Sequence, residues 1–142
     1  LSMMEPQLRQ RQVQITKILP DEPVWVMGDR MRIEQVMINL LRNALDATKS
    51  VGDPEIQIIL AAGETATLTV RDNGDGVEDL DALFEPFYTT KQPGDGVGLG
   101  LAISSGIVND LGGRLTARNG QHGGAVFEMQ LPILEDGIEA AE

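Results

Sequence analysis

The sequence predicts an α+β protein built as a two-layer α/β sandwich, in which mostly antiparallel strands are covered on one face by helices. Two segments, 30–49 and 99–111, have the apolar spacing of helices that pack on a core. Two pairs of segments rich in Ile, Thr and Val lie between and after them and are typical of hairpins. Because helices alternate with hairpins, the order favours an antiparallel sheet with its helices on one side.

The first elements are short. A helix is predicted from about Met3 to Gln12, and the segments "VQITKIL" and "PVWVMGD" are predicted strands around a Pro-Asp-Glu-Pro turn. Asp29 is expected to cap the N-terminus of the helix at 30–49, and a glycine and a proline close that helix off.

The remaining elements follow in order. "EIQIILAA" and "ATLTVRD" are predicted to form a hairpin around Gly63-Glu64-Thr65, and Gly112-Gly113 is expected to end the helix "LGLAISSGIVNDL". "GRLTARN" and "GAVFEMQLP" predict a second hairpin, and the acidic tail at about 135–142 is expected to fray. No repeat or linker interrupts this series, so residues 1–142 are expected to form a single domain.

Composition excludes several classes of function. A formal net charge of -11 over 142 residues disfavours sequence-independent binding of nucleic acid, which depends on Lys and Arg. The absence of cysteine excludes disulfides and thiolate metal sites, and fits a reducing compartment. No apolar run approaches the roughly 18 residues that span a bilayer, and no signal-peptide pattern opens the chain, so a soluble domain is expected.

The long helix has two contrasting faces. Its apolar arc, expected to face the sheet, consists of Ile33, Met37, Leu40, Leu41, Ala44 and Leu45. The opposite polar stripe consists of Arg32, Gln35, Asn39, Asn43 and Asp46. A solvated face would explain such a stripe, but Asn is a mediocre helix former. Two Asn one turn apart offer paired amide oxygens, which suit a hard divalent cation that also keeps water and phosphate ligands.

The turn "VRDNGDGV" follows the predicted strand that ends at Asp72. Gly74 and Gly76 would allow a positive φ or the close approach of a ligand to the backbone. Two interpretations of this turn are equally good. It is either a polar turn held by an Asx interaction, or a site where the Asp72 carboxylate accepts a hydrogen bond from the exocyclic amine of a purine. A calcium loop is excluded, because the alternating ligands and closing Glu are absent.

The glycine-rich segment "TTKQPGDGVGLGLAIS" matches neither the P-loop nor the dinucleotide GxGxxG pattern. A surface loop anchored by aromatic side chains is one interpretation. The other is a mobile lid with Phe84 and Phe87 at its base, Gly94 and Gly96 as hinges and Lys91 able to reach a phosphate. Where this segment becomes helix, free backbone N–H groups and the helix dipole would favour an anion.

Taken together, the motifs resemble those of one family. "INLLRNALDA" looks like the N box, "DNGDGV" the G1 box, "LFEPFYTTK" the F box and "GVGLGLAIS" the G2 box of the sensor histidine kinases, and "GGAVFEMQLP" looks like their last glycine box. The resemblance covers about 8–132 and is strongest to the nitrogen-regulation and C4-dicarboxylate transport sensors. It implies the Bergerat fold shared with gyrase, HSP90 and mismatch-repair ATPases. That fold has a mixed, mostly antiparallel five-stranded sheet, about three helices and an ATP lid at about 77–98.

The resemblance also implies site residues for ATP and Mg²⁺. Asn43 would bind the metal, with Asn39 as a second or water-mediated ligand. Asp72 would accept from the adenine amine, and Gly74 and Gly76 would line the purine pocket. The implied phosphate-contacting residues are Gly96, Val97, Gly98, Leu99, Gly100 and Leu101, with positive charge from Arg42 and Lys91.

Two positions depart from the family pattern. Asp46, included in the implied nucleotide site, stands where many of these kinases have a Lys that meets phosphate, which gives Lys91 more weight. Ala125 and Val126 stand where a Thr often helps to bind adenine through water. The adenine affinity is therefore expected to be modest.

By this resemblance the chain is the ATP-binding catalytic domain of a two-component histidine kinase, whose phosphoacceptor His lies on a separate dimerisation domain. No His here precedes an acidic residue, and His122 is expected to be an exposed bystander in a hairpin loop, so the chain alone is expected not to phosphorylate itself. A response regulator would act downstream. Neither nucleic acid nor direct membrane contact is expected for this cytoplasmic domain of a parent anchored in the bacterial inner membrane.

Two alternatives differ in class. A related ATPase would need a carboxylate where this chain has Asn39, because the gyrase and mismatch-repair members carry Glu there. A regulatory module would bind nucleotide without transferring phosphate. Slow or absent hydrolysis argues against the first alternative, and phosphohistidine formed on an added acceptor domain argues against the second.

Overall fold

The computed structural model describes residues 13–26, 28–85 and 100–134. The described elements, in chain order, are β1 (Gln14–Ile18), β2 (Trp25–Val26), α1 (Arg30–Ala47), β3 (Glu55–Ala62), β4 (Thr65–Asp72), α2 (Gly100–Asp110), β5 (Arg114–Asn119) and β6 (Ala125–Leu134). The predicted first helix, most of the predicted lid and the acidic tail lie outside the described residues.

One mixed sheet forms the first layer. β1 pairs in parallel with β3, whereas the β3–β4, β4–β6, β5–β6 and β2–β6 pairs are antiparallel. The predicted mixed and mostly antiparallel sheet, with both hairpins, is therefore confirmed. It has six strands rather than five, because the two residues of β2 pair with the end of β6. β1 and β2 flank the predicted turn but do not pair with each other.

The second layer, within the described residues, consists of α1 and α2. Asp29 caps α1 as predicted, since its side chain accepts hydrogen bonds from the backbone N–H groups of Met31 (2.9 Å) and Arg32 (3.4 Å). α1 ends at Ala47, two residues earlier than the predicted end at 49. The backbone of Thr48 leaves helical geometry there, with a φ of -103° and a ψ of 9°, and its buried hydroxyl donates to the carbonyl groups of Ala44 (3.0 Å) and Leu45 (3.1 Å).

The core lies between the helices and the covered face of the sheet. Leu40, Leu41, Ala44 and Leu45 of the predicted arc are buried, whereas Ile33 and Met37 pack only partly against the core. Val36, which the predicted arc omitted, is completely buried. Its burial follows from the packing of α1 against two neighbours, α2 and β4, which widens the buried face of the helix.

Gly112-Gly113 ends α2 as predicted. Gly112 has a φ of 80°, and the N–H of Gly113 reaches the carbonyl of Val108 at 2.9 Å. A Cβ on Gly113 would overlap the carbonyl oxygen of Gln130, so glycine lets β5 start directly against β6. In the part of the chain that the structure describes, neither helix has the length and apolarity to cross a membrane.

Candidate nucleotide-binding site

One face of α1 connects the two regions that the sequence marks for a nucleotide. Asn39, Asn43 and Ala47 are spaced by four residues, so they lie on one side of the helix over about 12 Å. At the far end, a Cβ on Gly74 would overlap the carbonyl group of Ala47, so the G1-like turn lies directly on the end of the helix. At the near end, Asn39 contacts the start of α2. Asn43 therefore lies between the turn after β4 and the first turn of α2.

Asp72 is the most unusual polar residue of this region. Its side chain is buried, with 3% of the residue exposed. Oδ1 accepts from the backbone N–H groups of Gly74 (2.9 Å) and Ala125 (3.3 Å), whereas Oδ2 is buried without a hydrogen-bond partner among the described residues. A buried acceptor without a donor is costly, so Oδ2 indicates a donor that a ligand would supply. The structure contains the Asx turn at Oδ1, whereas the role of Asp72 as an acceptor for a ligand stays a prediction for which Oδ2 is the available atom.

The environment of Asp72 raises the pKa of its carboxyl group. Desolvation by burial is the main cause, and the negative charge of Asp75 adds to it. The two backbone hydrogen bonds, from Gly74 and Ala125, act in the opposite direction and hold the carboxylate in place. A poorly solvated carboxylate is a strong acceptor for an N–H group that can reach it.

The raised pKa predicts a pH dependence of stability. Because the folded chain binds the proton of Asp72 more tightly than the unfolded chain, this contribution to stability is fully present below the ordinary pKa of Asp and is lost as the pH rises through the raised pKa. Urea unfolding of the chain and of the Asp72→Asn variant, from about pH 3 to about pH 7, measures it. The unfolding free energy of the chain relative to the variant should fall as the pH rises, whereas a rise would contradict the burial cost.

Glycines allow three backbone segments to meet around Asp72. Gly124 has a φ of 78°, and a Cβ there would overlap the carbonyl oxygen of Asp72. Gly76 has a φ of 82°, and a Cβ there would lie 2.9 Å from Oδ1 of Asn119. The positive φ of Gly76 agrees with the sequence interpretation, whereas no particular role was assigned to Gly124 from sequence.

Asn119 fixes the segment that follows the G1-like turn. Its Oδ1 accepts from the backbone N–H of Val77 (2.7 Å), and its Nδ2 donates to the carbonyl of the same residue (3.0 Å). The side-chain amide thus replaces a peptide group of a neighbouring strand. Because Val77 is the first residue of the predicted lid, Asn119 anchors the start of that segment to the β5–β6 hairpin. Sequence reasoning missed it, although an Asn at the end of a strand and before Gly120 is a recognisable turn signal.

The polar stripe of α1 divides into groups with different partners. Arg32 forms an ion pair with Asp110 at 2.9 Å, which joins the start of α1 to the end of α2 and takes Arg32 out of the site. Asn39 donates through Nδ2 to Ser104 Oγ (3.0 Å) and to the carbonyl of Gly100 (3.3 Å). Asn43 is half-buried, and its side-chain amide makes no hydrogen bond to any residue that the structure describes.

Four more predicted residues are placed near this face with less definite roles. Arg42 and Gly100 are exposed, and Leu101 packs partly on the core beneath the first turn of α2. Asp46 lies 3.6 Å from Lys49 Nζ, so the one carboxylate of the stripe is partly neutralised by a neighbouring cation. Lys91, Gly96, Val97, Gly98 and Leu99 lie outside the described residues.

The sequence and fold of this chain are similar to those of known proteins, and these similarities show its family. The profile of a family described as histidine kinase-, DNA gyrase B-, and HSP90-like ATPases matches residues 28–135. The chain belongs to this family. The catalytic domain of the histidine kinase ThkA, in a nucleotide-free form, superposes with a TM-score of 0.80 and 30% identity over 92% of this chain and 87% of that one. The chain is thus a catalytic domain of the sensor histidine kinase type.

Two further matches place the domain more finely. It is 42% identical to the C4-dicarboxylate transport sensor protein DctB of Pseudomonas aeruginosa over 99% of this chain, and spans 24% of that protein. A structure of ThkA in complex with the response regulator protein TrrA matches with a TM-score of 0.78 and 29% identity, covering 94% of this chain and 38% of that one. The predicted resemblance to histidine kinases and to C4-dicarboxylate sensors is confirmed.

The catalytic domain contains one histidine, His122, and it is exposed in the turn between β5 and β6, as predicted. Among the described residues, no group of three or more His, Asp or Glu side chains is placed to hold a metal ion. The predicted metal ligands are instead the side-chain amides of Asn39 and Asn43 on α1, and this assignment stays a prediction. Neutral amide oxygens fit a hard cation such as Mg²⁺, which takes its remaining ligands from water and phosphate.

Proposed function

We propose that this domain binds ATP with Mg²⁺ and donates the γ-phosphate to a histidine on the dimerisation domain of its parent protein. The observation that carries the proposal is Asp72 Oδ2, a buried acceptor with no donor among the described residues, set where glycines let three backbone segments approach one another closely. An adenine amine supplies the missing N–H. Guanine carries a carbonyl at the corresponding position, so two acceptors would face each other and adenine is preferred.

The metal and phosphates occupy the other end of the α1 face. Asn43, whose half-buried side chain has no hydrogen-bond partner among the described residues, would hold Mg²⁺ through its amide oxygen, and Asn39 would hold it directly or through water. Bound Mg²⁺ supplies charge neutralisation on the phosphate oxygens that transfer requires. Backbone N–H groups at the start of α2, Gly100 and Leu101 among them, together with Lys91 and Arg42, would hold the phosphates. Gly96, Val97, Gly98 and Leu99 belong to the same proposed segment.

The domain lacks its own phosphoacceptor, so it is expected to transfer phosphate only to an added partner. Purified chain with labelled Mg-ATP should incorporate no stable label. Addition of a dimerisation domain that carries the acceptor His, taken from a C4-dicarboxylate sensor of the same type, should yield phosphohistidine on the added domain. The control is His122→Ala, which should transfer equally well because His122 is exposed and outside the site. Label on the chain alone, lost in His122→Ala, would contradict the proposal.

Two other functions are less well supported. A hydrolytic ATPase needs a base beside the attacking water, and the Asn39 amide is not a base and donates both of its hydrogen bonds to α2. A regulatory module without transfer would still need the nucleotide site. Failure to form phosphohistidine with any dimerisation domain, despite ATP binding, would favour the module.

We further propose that the parent is a membrane-anchored sensor kinase with this domain on its cytoplasmic side, acting on a response regulator. The domain spans about a quarter of the length of DctB, so such a parent would contain further segments. The complex of ThkA with TrrA supports a regulator as partner. The net charge of -11 supports the absence of direct contact with nucleic acid or with anionic membrane surfaces.

A further inference from the structure

Ser104, on the second turn of α2, is completely buried although it is polar. Its hydroxyl oxygen lies 3.0 Å from Nδ2 of Asn39 on α1, so the two helices are joined by a side-chain hydrogen bond. Ser104 is the last residue of the G2-like motif "GVGLGLAIS", but neither that resemblance nor the proposed ligand contacts give it a role. A buried hydroxyl is costly unless it is paired, so its partner is informative.

The contacts of Asn39 define the orientation of its amide. The carbonyl oxygen of Gly100, 3.3 Å from Nδ2, can only accept a hydrogen bond. A reversed amide would place Oδ1 against this carbonyl, so Nδ2 must face α2. Since Gly100 and Ser104 take both N–H groups of Nδ2, Oδ1 is the only atom of the amide left for a ligand. Oδ1 is not buried, because Asp72 Oδ2 is the one buried side-chain polar atom without a partner in the described structure.

We infer that Ser104 is a positioning residue that holds the Asn39 amide with its oxygen directed to the metal end of the site. The inference rests on the proposed function and extends it. Asn43, one turn further along α1, has no comparable hydrogen bond among the described residues and must be ordered when the ligand binds. The two asparagines therefore differ: Asn39 is preoriented by α2, and Asn43 is not. The hydrogen bond between Ser104 and Asn39 also couples this proposed metal ligand to α2, whose first turn is the end of the glycine-rich segment.

Ser104→Ala tests this inference, because it removes the hydroxyl with little change of volume. Calorimetric titration with ATP, in excess Mg²⁺ and in a metal chelator, gives the ratio of the two dissociation constants. We expect Ser104→Ala to reduce the gain from Mg²⁺ about tenfold, as for other residues that orient a metal ligand, and to leave binding without Mg²⁺ unchanged. Ser105→Ala is the matched control, since Ser105 is next in α2 and makes no hydrogen bond to α1 among the described residues. It should behave like the unaltered chain.

Two measurements separate positioning from simple packing. If Ser104 acts through Asn39, the double variant Asn39→Ala with Ser104→Ala should lose no more of the Mg²⁺ gain than Asn39→Ala alone. In the protein without nucleotide or metal, the side-chain amide NMR signals of Asn39 should shift in Ser104→Ala and stay in place in Ser105→Ala. These signals do not depend on the proposed function.

The outcomes are distinguishable. An unchanged Mg²⁺ gain in folded Ser104→Ala, or additive losses in the double variant, would overturn the inference and leave the proposed function intact, with Ser104 as a packing residue. A chain that binds ATP with no Mg²⁺ gain at all would also overturn it. No binding of ATP by the unaltered chain would refute the proposed function, and this inference with it.

Discussion

Alanine in place of Gly124 is expected to lower the free energy of unfolding by about 3 kcal/mol or more, enough to unfold a marginally stable domain. The backbone there has a φ of 78°, and a Cβ would overlap the carbonyl oxygen of Asp72. β4 and the start of β6 would have to move apart, although they are paired immediately beyond, at Arg71 and Val126. The carboxyl group of Asp72 would move with them.

Gly123 provides a matched control for this prediction. Its φ of 101° is also positive, but a Cβ would meet nothing within 4 Å. Gly123→Ala therefore carries only the conformational cost, about 1–2 kcal/mol, and the difference between the two variants measures the close approach of the strands. Urea unfolding followed by circular dichroism gives both values. Equal losses in the two variants would show that Gly124 is needed only for its backbone conformation.

The Asp72→Asn variant is expected to stay folded and to bind ATP about 10- to 100-fold more weakly. Its Oδ1 can still accept from the N–H groups of Gly74 and Ala125, as the carboxylate does. Nδ2 then takes the place of Oδ2, and a donor faces the adenine amine, which is also a donor. The loss of affinity has two causes. A charge-assisted hydrogen bond is missing, and the N–H of the substituted side chain and the N–H of the adenine amine face each other and cannot pair.

Asp75→Asn is the control for the change of charge. Asp75 is exposed, lies in the same turn, and its substitution removes one negative charge as well. ATP should bind this variant as well as the unaltered chain or slightly better, because one negative charge that repels the anionic nucleotide at long range is gone. Equal weakening in both variants would indicate that net charge, and not the acceptor at Asp72, controls the affinity.

Much of the fold could be predicted because it depends on neighbouring residues. The Asp29 cap, the glycine end of α2 and both hairpins follow from short patterns, and the structure has all of them. The parallel pairing of β1 with β3 and the attachment of β2 to β6 could not be predicted in this way. Both pairings join strands that are distant in sequence, and the sequence near each strand is equally compatible with other partners.

In the candidate site, too, the residues that a local sequence pattern marks could be predicted, and the contacts between distant residues could not. Asp72 and the asparagines of α1 could be singled out from residue type and spacing. The orientation of the Asp72 carboxyl group could not, because it depends on Ala125, 53 residues away, whose N–H binds Oδ1 and leaves Oδ2 without a partner. Ser104 and Gly124 belong to the quoted family motifs and Asn119 does not, but none of the three roles was predicted, because each lies in a contact with another element: Asn39, Asp72 and Val77 respectively. A serine inside a helix looks unremarkable in sequence, and an asparagine at a strand end indicates a turn but not the residue that its side chain will bind.

Calorimetric titration of ATP, with Mg²⁺ and with a chelator, tests the central claim most directly when it is applied to the chain, Asp72→Asn and Asn43→Ala. The account predicts that the variants differ in kind. Asp72→Asn should weaken ATP binding to a similar extent in both conditions, because the adenine contact does not involve the metal. Asn43→Ala should bind like the unaltered chain in chelator and lose most of the gain from Mg²⁺. If both variants bind ATP as the unaltered chain does in both conditions, the assignment of this face of α1 and of Asp72 to Mg-ATP is wrong.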